Sequence, residues 1–375
     1  MTTRYPFSAI KEKLAARHGK ALDFAIGQHR IPLPKSIDDW IHSNAELAMK
    51  VSAGHDANDF RDAAAAFLAR EYGVEIDAAC ILPTPGGRGA MSAFVAYALE
   101  PGQSVFVTEP GYPAFLRLAT HRHADIHVLE LDPQQDFAPD LAPVSGLATP
   151  VRVIALNYPN NPTGASLSPH IISTLQDVSN SETIFFNDAT YGPLAYQQSP
   201  LSMLHPEMAG NNSVERVELH SFSKLFPMGP VAASFLAGTE ETMRNVSTYS
   251  EFAWSPLSLL QLKATTLCLR DADRLIELRE YFPVQLEQLR RTLQDIGFDP
   301  YPAPTGIYVI CPTPQHIGGV NVSTASEAAA LLMDNFDLAV VPWDTESHSY
   351  LRFSSLYLPA DLERLARLGE RLHLG

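Results

Sequence analysis

A lysine that follows an apolar, strand-like run is the first candidate for chemistry in this sequence. Lys224 ends the run HSFSK (220–224), directly after the strand-like residues 215–220. The carboxyl end of a strand in an α/β sheet is where ligands usually bind. A lysine amine placed there can attack a carbonyl carbon and form a Schiff base. A lone lysine is most often a solvated surface charge, so the chemistry depends on its neighbours.

Two polar clusters upstream of Lys224 also follow apolar runs. Residues 185–191 read FFNDATY and place Asp188 three residues before Tyr191. Residues 157–164 read NYPNNPTG and include Asn161. Taken singly, Asp188 suits a turn or a helix cap, and Asn161 suits an Asx turn. Because each cluster follows a candidate strand, we expect all three to converge at one edge of a sheet.

A lysine, a carboxylate and neutral hydrogen-bonding groups together are what pyridoxal 5′-phosphate (PLP) chemistry requires. The lysine forms the Schiff base and later moves the α-proton of the substrate. A carboxylate keeps the pyridine nitrogen protonated, so that the ring can accept electrons, and Asp188 suits this task. A hydrogen bond to the phenolic oxygen of the cofactor tunes the ring further, and Asn161 and Tyr191 suit this second task.

The order and spacing of NYPNNPTG, NDATY and SFSK resemble the class I/II aminotransferases, which are PLP enzymes of the aspartate-aminotransferase-like fold, fold type I. The resemblance covers nearly the whole chain. It implies an α/β fold with a large three-layer α/β/α domain around a mostly parallel sheet and a smaller α+β domain. It also implies transfer of the amino group of an L-α-amino acid to a 2-oxo acid through a Schiff base on Lys224.

The resemblance assigns further residues to the cofactor. The run LPTPGGRGA (82–90) matches the family's glycine turn, where N–H groups at a helix N-terminus receive the cofactor phosphate. The tyrosine of PGYP (110–113) matches the aromatic ring that stacks on the pyridine, and two serines match hydroxyls beside the phosphate. Besides Lys224, Asp188, Asn161 and Tyr191, the predicted cofactor contacts are therefore Gly87, Arg88, Gly89, Tyr112, Ser221 and Ser223.

Other residues are assigned to the substrate. Arg352, in the run YLRFS (350–354), matches the arginine that binds the α-carboxylate, for which a guanidinium offers two parallel hydrogen bonds. An isolated arginine is more often part of a surface ion pair. Gly27 matches a glycine at the active-site entrance, and Asn161 is a predicted substrate contact as well. The segment 28–33 (QHRIPL) either meets an acidic or polar substrate side chain or is only a mobile lid.

Two features of the family are missing, and both concern the phosphate. The family usually carries an arginine eight residues after the lysine, but this position is Ala232. Arg88 is the predicted replacement. The family also often has a tyrosine that reaches across a dimer to the second phosphate, and the matching run MKVSAGH (49–55) has none. Ser52 or His55 could substitute, although such residues are more often ordinary loop residues.

Two other functions stay open at this point. Members of the family without standard phosphate contacts include enzymes of specialised metabolism, which use PLP for β- or γ-elimination, cyclisation or oxidation. A third interpretation is a non-catalytic PLP-fold module, such as the sensor domain of a transcription regulator. The intact Lys224 and the expected absence of a DNA-binding extension argue against a module.

These residues must be positioned by an alternation of strands and helices. Short apolar, β-branched runs alternate with helical patterns, which predicts an α/β domain with strands buried on both faces. We place a large PLP-binding domain at 45–265 and a small domain at 1–44 and 266–375. The predicted strands are 104–108, 151–156, 183–187, 215–220, 232–237, 306–311 and 337–341. The predicted helices are 60–71, 89–98, 168–178, 273–297 and 359–373.

Composition limits the classes of partner. Of the 375 residues, 46% are hydrophobic and 18% charged, which is typical of globular proteins. A chain of this length usually forms more than one compact core. A formal net charge of −15 argues against nucleic-acid binding, which depends on lysine and arginine. Three separated cysteines form no disulfide or metal pattern, and no apolar run approaches a membrane span. We expect a cytoplasmic enzyme without a metal, nucleic-acid or membrane partner, and the resemblance implies a homodimer with active sites at its interface.

Overall fold

The computed structural model describes residues 6–17, 19–147, 150–178, 182–196, 199–206 and 214–375. The chain divides into two compact units. The larger unit comprises Ile31–Asn160 and Ala165–Leu278, and the smaller unit comprises Met1–Arg30, Asn161–Gly164 and Arg279–Gly375. The domain boundaries at 45 and 265 stay a prediction. The chain passes from one compact unit to the other near residues 30 and 278.

Helices and strands alternate along most of the chain, as the sequence predicts. The α-helices are α1 Pro6–Ala16, α2 Lys35–Ser43, α3 Asn58–Tyr72, α4 Gly87–Ala98, α5 Ala114–His121, α6 Ala142–Ser145, α7 Pro169–Val178, α8 Glu240–Ala253, α9 Leu259–Arg270, α10 Ala272–Asp295, α11 Ala325–Phe336 and α12 Pro359–Leu372. The β-strands are β1 Leu22–Asp23, β2 Ile81–Thr84, β3 Ser104–Glu109, β4 Asp125–Glu130, β5 Val151–Leu156, β6 Ile184–Asp188, β7 Glu215–Ser221, β8 Ser234–Ala237, β9 Tyr308–Pro312, β10 His316–Ile317, β11 Val320–Asn321, β12 Leu338–Ala339, β13 Val341–Asp344 and β14 Ser349–Ser354. No helix in the described part of the chain has the length and apolar character needed to cross a membrane.

A seven-stranded sheet forms the centre of the larger unit, in the order β2-β8-β7-β6-β5-β3-β4. The pairs from β7 to β4 are parallel, and β8 is antiparallel to both of its neighbours, β2 and β7. The sheet is therefore mostly parallel, which confirms the predicted fold class. The predicted strand 232–237 is present as β8, although it runs against its neighbours.

Helices cover both faces of this sheet, which explains the apolar character of its central strands. Every side chain of β6 is buried. On one face Phe94 of α4 stacks on Phe186 of β6, with ring centroids 4.6 Å apart. On the other face Phe67 of α3 meets Phe235 of β8 edge-on, with centroids 6.4 Å apart. A strand enclosed in this way gains stability from apolar side chains on both of its sides.

The strand directions bring the ends of four strands to one edge of the sheet. Leu156, Asp188 and Ser221 end β5, β6 and β7, which are parallel neighbours. Strand β2 runs the same way, because β8 is antiparallel to both β2 and β7. Its last residue, Thr84, lies opposite Ser234, which lies opposite Ser221. The glycine turn, the Asp188 turn and the lysine turn therefore all begin at this edge.

The smaller unit has an α+β architecture, as the predicted fold class states. Its three-stranded sheet has the order β13-β14-β9 and is antiparallel throughout. A parallel pair forms between β1 and β12, where Leu22 lies opposite Leu338. Helix α12 buries Leu365 and Leu372.

Candidate active site

Lys224 lies in a tight turn that begins where β7 ends at Ser221. The carbonyl of Phe222 accepts hydrogen bonds from the N–H groups of Leu225 at 3.1 Å and of Phe226 at 2.9 Å. The side chains of these three apolar residues are buried, whereas that of Lys224 is only half-buried. The turn is thus anchored on both sides of the lysine, which fixes the position of the lysine backbone.

Asp188 is a buried carboxyl at the end of β6, with 6% of its surface exposed. Its Oδ1 accepts hydrogen bonds from Thr190 N–H at 3.1 Å and from Thr190 Oγ1 at 2.5 Å. Burial raises the pKa of Asp188, although the Thr190 bonds and the charge of His220 oppose this effect. Such a carboxyl is stabilised as an anion by a further N–H or positive group, which the protonated ring nitrogen of PLP provides. The surroundings of Asp188 therefore fit the ring nitrogen of the cofactor. Asp188 also accepts hydrogen bonds within its own turn, which is the alternative role that the sequence offers.

The glycine turn leads from β2 into α4. Gly86 has a φ of +83°, a left-handed conformation that favours glycine, and it precedes the first helical residue. Gly87, Arg88 and Gly89 form the first turn, where N–H groups have no acceptor within the helix. A Cβ at Gly87 would lie 4.0 Å from Ser221 Oγ, so α4 begins beside the end of β7. The N-terminus of a twelve-residue helix placed here suits a phosphate group.

Hydroxyl groups lie next to this helix terminus. Ser221 Oγ is 3.2 Å from Ser223 Oγ, and Ser223 N–H donates to Ser221 Oγ at 3.4 Å. Ala232, which stands where the family usually has an arginine, is buried. The side chain of Arg88 is exposed. The phosphate role of Arg88 stays a prediction.

Two tyrosines assigned to the cofactor lie in the loops at the same sheet edge. Tyr191 is buried and directly precedes a 3₁₀ turn, Gly192–Leu194. Tyr112 is half-buried and packs against the core on the α4 face of the sheet. Asn160 Nδ2 donates to the carbonyl of Pro110 at 3.1 Å, which ties the end of the NYPN run to the loop that carries Tyr112.

Two asparagines that the sequence analysis did not assign to the site connect the ends of β5 and β6. Asn157 Nδ2 donates to the carbonyl of Asp188 at 3.1 Å. Asn187 Oδ1 accepts from Tyr158 N–H at 2.8 Å, and its Nδ2 donates to the Tyr158 carbonyl at 2.9 Å. These bonds fix the turn at Asp188 relative to the run that begins at Asn157. Bonds between a side chain and a distant backbone leave no periodic signal in the sequence.

Arg352 lies on β14 in the smaller unit and is 1% exposed, which excludes a surface ion pair. Its Nη1 donates to Asn161 Oδ1 at 3.0 Å, and its Nη2 donates to the carbonyl of Ala25 at 2.7 Å. The structure thus brings together two of the predicted substrate contacts. Both acceptors are neutral, so they orient the guanidinium without neutralising its charge.

Two aromatic residues lie against the Arg352 guanidinium, and the sequence analysis assigned neither of them to the site. Arg352 Cζ lies 3.8 Å from the ring centroid of Tyr308 and 5.3 Å from that of Trp343. At Gly27, the third predicted substrate contact, a Cβ would collide with the hydroxyl of Tyr308, so this position requires glycine. Stacking on Tyr308 fixes the plane of the guanidinium, and a planar carboxylate is recognised within that plane.

The sequence profile of the family described as aminotransferase class I and II matches residues 20–367 of this chain. The chain belongs to the aminotransferase class I and II family. It is therefore an enzyme, a PLP-dependent aminotransferase, which confirms the predicted family and reaction class.

Curated relatives of this aminotransferase align over most of its length. It is 28% identical to the LL-diaminopimelate aminotransferase of Methanocaldococcus jannaschii over 370 residues, which cover 95% of this chain and 87% of that protein. It is 25% identical to the L-glutamine–4-(methylsulfanyl)-2-oxobutanoate aminotransferase of Bacillus subtilis over 343 residues, which cover 88% of this chain and 82% of that protein.

Solved structures share the fold of this aminotransferase. Substrate-bound BacF from Bacillus subtilis superposes with a TM-score of 0.87 at 21% identity and covers 100% of this chain and 97% of that chain. A double mutant of the Thermus thermophilus aspartate aminotransferase superposes with a TM-score of 0.85 at 20% identity. The superposition covers 99% of this chain and 97% of that chain. These likenesses confirm the fold-type-I prediction. The roles of individual site residues stay predictions.

Proposed function

We propose that this aminotransferase moves the amino group of an L-α-amino acid to a 2-oxo acid, with PLP held at the edge of the large sheet. The observation that carries the proposal is the placement of the Lys224 turn, Asp188 and the first turn of α4 at that edge. When bound, PLP supplies an aldehyde carbon for amines and a ring that accepts electrons from the substrate α-carbon.

The lysine and the carboxylate have separate tasks in this proposal. Lys224 would hold PLP through its amine, and its Nζ would take the proton from the substrate α-carbon. The same Nζ later returns a proton, so one group acts as base and then as acid. Asp188 holds the proton on the ring nitrogen, and burial strengthens this charge interaction. Tyr191 donates a hydrogen bond to the phenolic oxygen, and Tyr112 covers the ring.

The phosphate is held by the first turn of α4 in this proposal. The N–H groups of Gly87, Arg88 and Gly89 donate to its oxygens, and the positive end of the helix dipole favours its charge. The hydroxyls of Ser221 and Ser223 donate as well. Arg88 supplies the cation that Ala232 cannot.

The substrate is recognised by its α-carboxylate through Arg352, with Asn161 and Gly27 beside it. The relatives are named for LL-diaminopimelate, L-glutamine and 4-(methylsulfanyl)-2-oxobutanoate. These compounds share an α-carboxylate and differ in their side chains. The proposal therefore commits to an L-α-amino acid and leaves the side chain to experiment.

The reaction class is tested by one half-reaction. The PLP-loaded protein is mixed with single L-amino acids under argon, and its visible spectrum is recorded. We expect at least one amino acid to convert the yellow form into the colourless pyridoxamine form, with one equivalent of 2-oxo acid and no free ammonia. Release of ammonia would instead support elimination, and a requirement for oxygen would support oxidation.

Replacing Arg352 with lysine is expected to raise the KM for the amino acid about 10- to 100-fold, which corresponds to ~1.4–2.8 kcal/mol. Lysine keeps the charge but lacks the planar pair of donors. The half-reaction is titrated with the amino acid and with the amine that lacks its carboxyl group. The KM of the amine should not change, and Arg291→Lys, an exposed arginine of the same unit, serves as control. Equal effects on acid and amine would contradict the carboxylate role.

We also propose that the enzyme is a homodimer, as the resemblance implies. Met49, Val51 and Phe252 are largely exposed, with Phe252 at 92%. Val51 bridges to Ser258, which places the run 49–52 beside the chain that follows α8. Large apolar side chains that are this exposed are typical of residues that a partner covers. A cytoplasmic location stays a prediction.

Replacing Phe252 with serine is expected to weaken the dimer at least about tenfold, because a buried aromatic anchor commonly contributes more than ~1.4 kcal/mol. Sedimentation velocity over a dilution series measures the change. Val128→Ser, at an exposed apolar residue on edge strand β4, is the matched control. A Phe252→Ser variant that sediments like the wild type would place the interface elsewhere.

A further inference from the structure

A buried glutamate–histidine pair lies on the sheet face opposite to α4. Side chains alternate along β7, so Leu219 and Ser221 point towards α4 and Glu218 and His220 point to the other side. Glu218 is 0% and His220 2% exposed, and Glu218 Oε2 lies 3.3 Å from His220 Nε2. Burying a carboxylate and an imidazole costs free energy compared with apolar side chains of similar volume. The proposed function has so far given neither residue a task.

Glu218 is held as an anion by a full set of donors. Its Oε2 accepts from Ser202 Oγ at 2.6 Å, and its Oε1 accepts from Met203 N–H at 2.9 Å and Asn187 Nδ2 at 3.3 Å. Burial alone would raise the pKa of Glu218, but His220, Ser202 and the N–H of Met203 together bring it below its ordinary value. A fixed negative charge is therefore part of the folded sheet.

One of these donors leads directly to the candidate active site. Asn187 Nδ2 carries two hydrogens, which are donated to Glu218 and to the carbonyl of Tyr158. Its Oδ1 accepts from Tyr158 N–H. Glu218 thus completes the set of bonds that orients the Asn187 amide. That amide in turn holds the run that begins at Asn157 and contains Asn161.

His220 reaches the Asp188 turn by two routes. Its ring stacks on Phe235 at 4.9 Å and meets the edge of Tyr72 at 5.3 Å. The Tyr72 hydroxyl packs against Gly192, where a Cβ would collide with it, and Gly192 directly follows Tyr191. Through space, the charge of His220 also favours the anionic form of Asp188.

We propose that Glu218 and His220 are positioning residues for the cofactor site. Glu218 orients Asn187 and the run that begins at Asn157, and the His220 ring packs on Tyr72, which supports the turn after Asp188. This inference rests on the proposed function, because it takes Asp188 as the partner of the PLP ring nitrogen.

The inference is tested with Glu218→Gln, which keeps the volume of the side chain and removes its charge. We expect the apoenzyme to bind PLP about tenfold more weakly, because a neutral amide at position 218 accepts from Asn187 more weakly than the carboxylate does. With PLP labelled by ¹⁵N in the ring, we expect its chemical shift to move towards that of unprotonated pyridine. Because Glu218 is assigned to the cofactor site and not to a direct substrate contact, kcat should fall more than KM changes.

Two further variants separate positioning from folding. Ser202→Ala removes one hydrogen bond and keeps the Glu218 charge, so it should lower the thermal midpoint and leave the ¹⁵N shift unchanged. If Glu218→Gln does not fold, the double variant Glu218→Gln, His220→Phe removes the carboxylate and the imidazole and keeps the aromatic stacking on Phe235, and it should show the same weaker PLP binding.

The outcomes distinguish this inference from the proposed function. If Glu218→Gln, or the double variant in its place, keeps the wild-type PLP affinity and ¹⁵N shift, the pair is only structural and the inference is overturned. If borohydride traps no PLP on Lys224 of the wild type, the proposed function fails first, whatever the variants show.

Discussion

Lys224→Ala is expected to lower kcat by at least about 10⁴-fold and to abolish covalent attachment of PLP. A positioned general acid or base alone contributes about 10²–10⁴ to the rate. Alanine removes this group and also the amine that binds the cofactor. The rate is measured in the half-reaction. Attachment is measured by the intact mass after borohydride reduction and by the labelled peptide that contains residues 220–224.

Lys263→Ala is the matched control for this variant. Lys263 is an exposed lysine of α9 in the same unit, so its loss removes the same charge without touching the sheet edge. Its kcat and its borohydride trapping should equal those of the wild type. A Lys224→Ala variant with more than about 1% of wild-type kcat would assign the proton transfer to another group.

Asp188→Asn is expected to lower kcat about 10²–10³-fold, the usual cost of removing a preorganised electrostatic group. Asparagine keeps the shape of the side chain and can still accept from Thr190. It cannot hold the proton on the ring nitrogen by charge. The measurement is kcat at saturating PLP. Asp273→Asn, at an exposed aspartate of α10, is the control.

The same variant should make the apoenzyme more stable at neutral pH. Burial raises the pKa of Asp188 in the folded apoenzyme above its value in the unfolded chain. Between these two pKa values the folded state binds more protons, so the free energy of unfolding falls as the pH rises through that window. Asparagine does not titrate, so this fall in the free energy of unfolding does not occur in the variant. The thermal midpoint of Asp188→Asn should therefore exceed that of the wild type above the window, and the difference should shrink below it. A midpoint difference independent of pH would contradict a raised pKa.

Most of the large sheet was predictable because its strands are enclosed. The run VRVIAL coincides with β5, Val151–Leu156, whose side chains are almost all buried. Strand β2 escaped prediction because it has only four residues and includes a proline. Strand β4 escaped because it lies at the sheet edge, where half-exposed side chains give a mixed pattern. Continuous apolar runs predict the buried strands well, whereas the strands at the sheet edges leave no such pattern.

The candidate site shows the same division between local and distant information. Lys224, Asp188 and Arg352 could be named because each belongs to a short run with a recognisable spacing. Tyr308 could not, because it reaches Arg352 only through the register of β9 with β14, where it lies opposite Ser354. Glu218 reads as one polar residue in a strand, and only the folded sheet shows that four groups surround its carboxylate.

The pairing of β1 with β12 has a consequence for the order of events during synthesis. Leu22 and its partner Leu338 are 316 positions apart (338 − 22). At about 5–20 residues per second, a ribosome needs about 15–60 s to make that stretch. The larger unit ends at Leu278 and can condense within this interval. In the described part of the chain β1 pairs with β12, which is not available until Ala339 emerges from the exit tunnel, so a nascent chain stalled before that point carries an open strand edge that other chains can pair with.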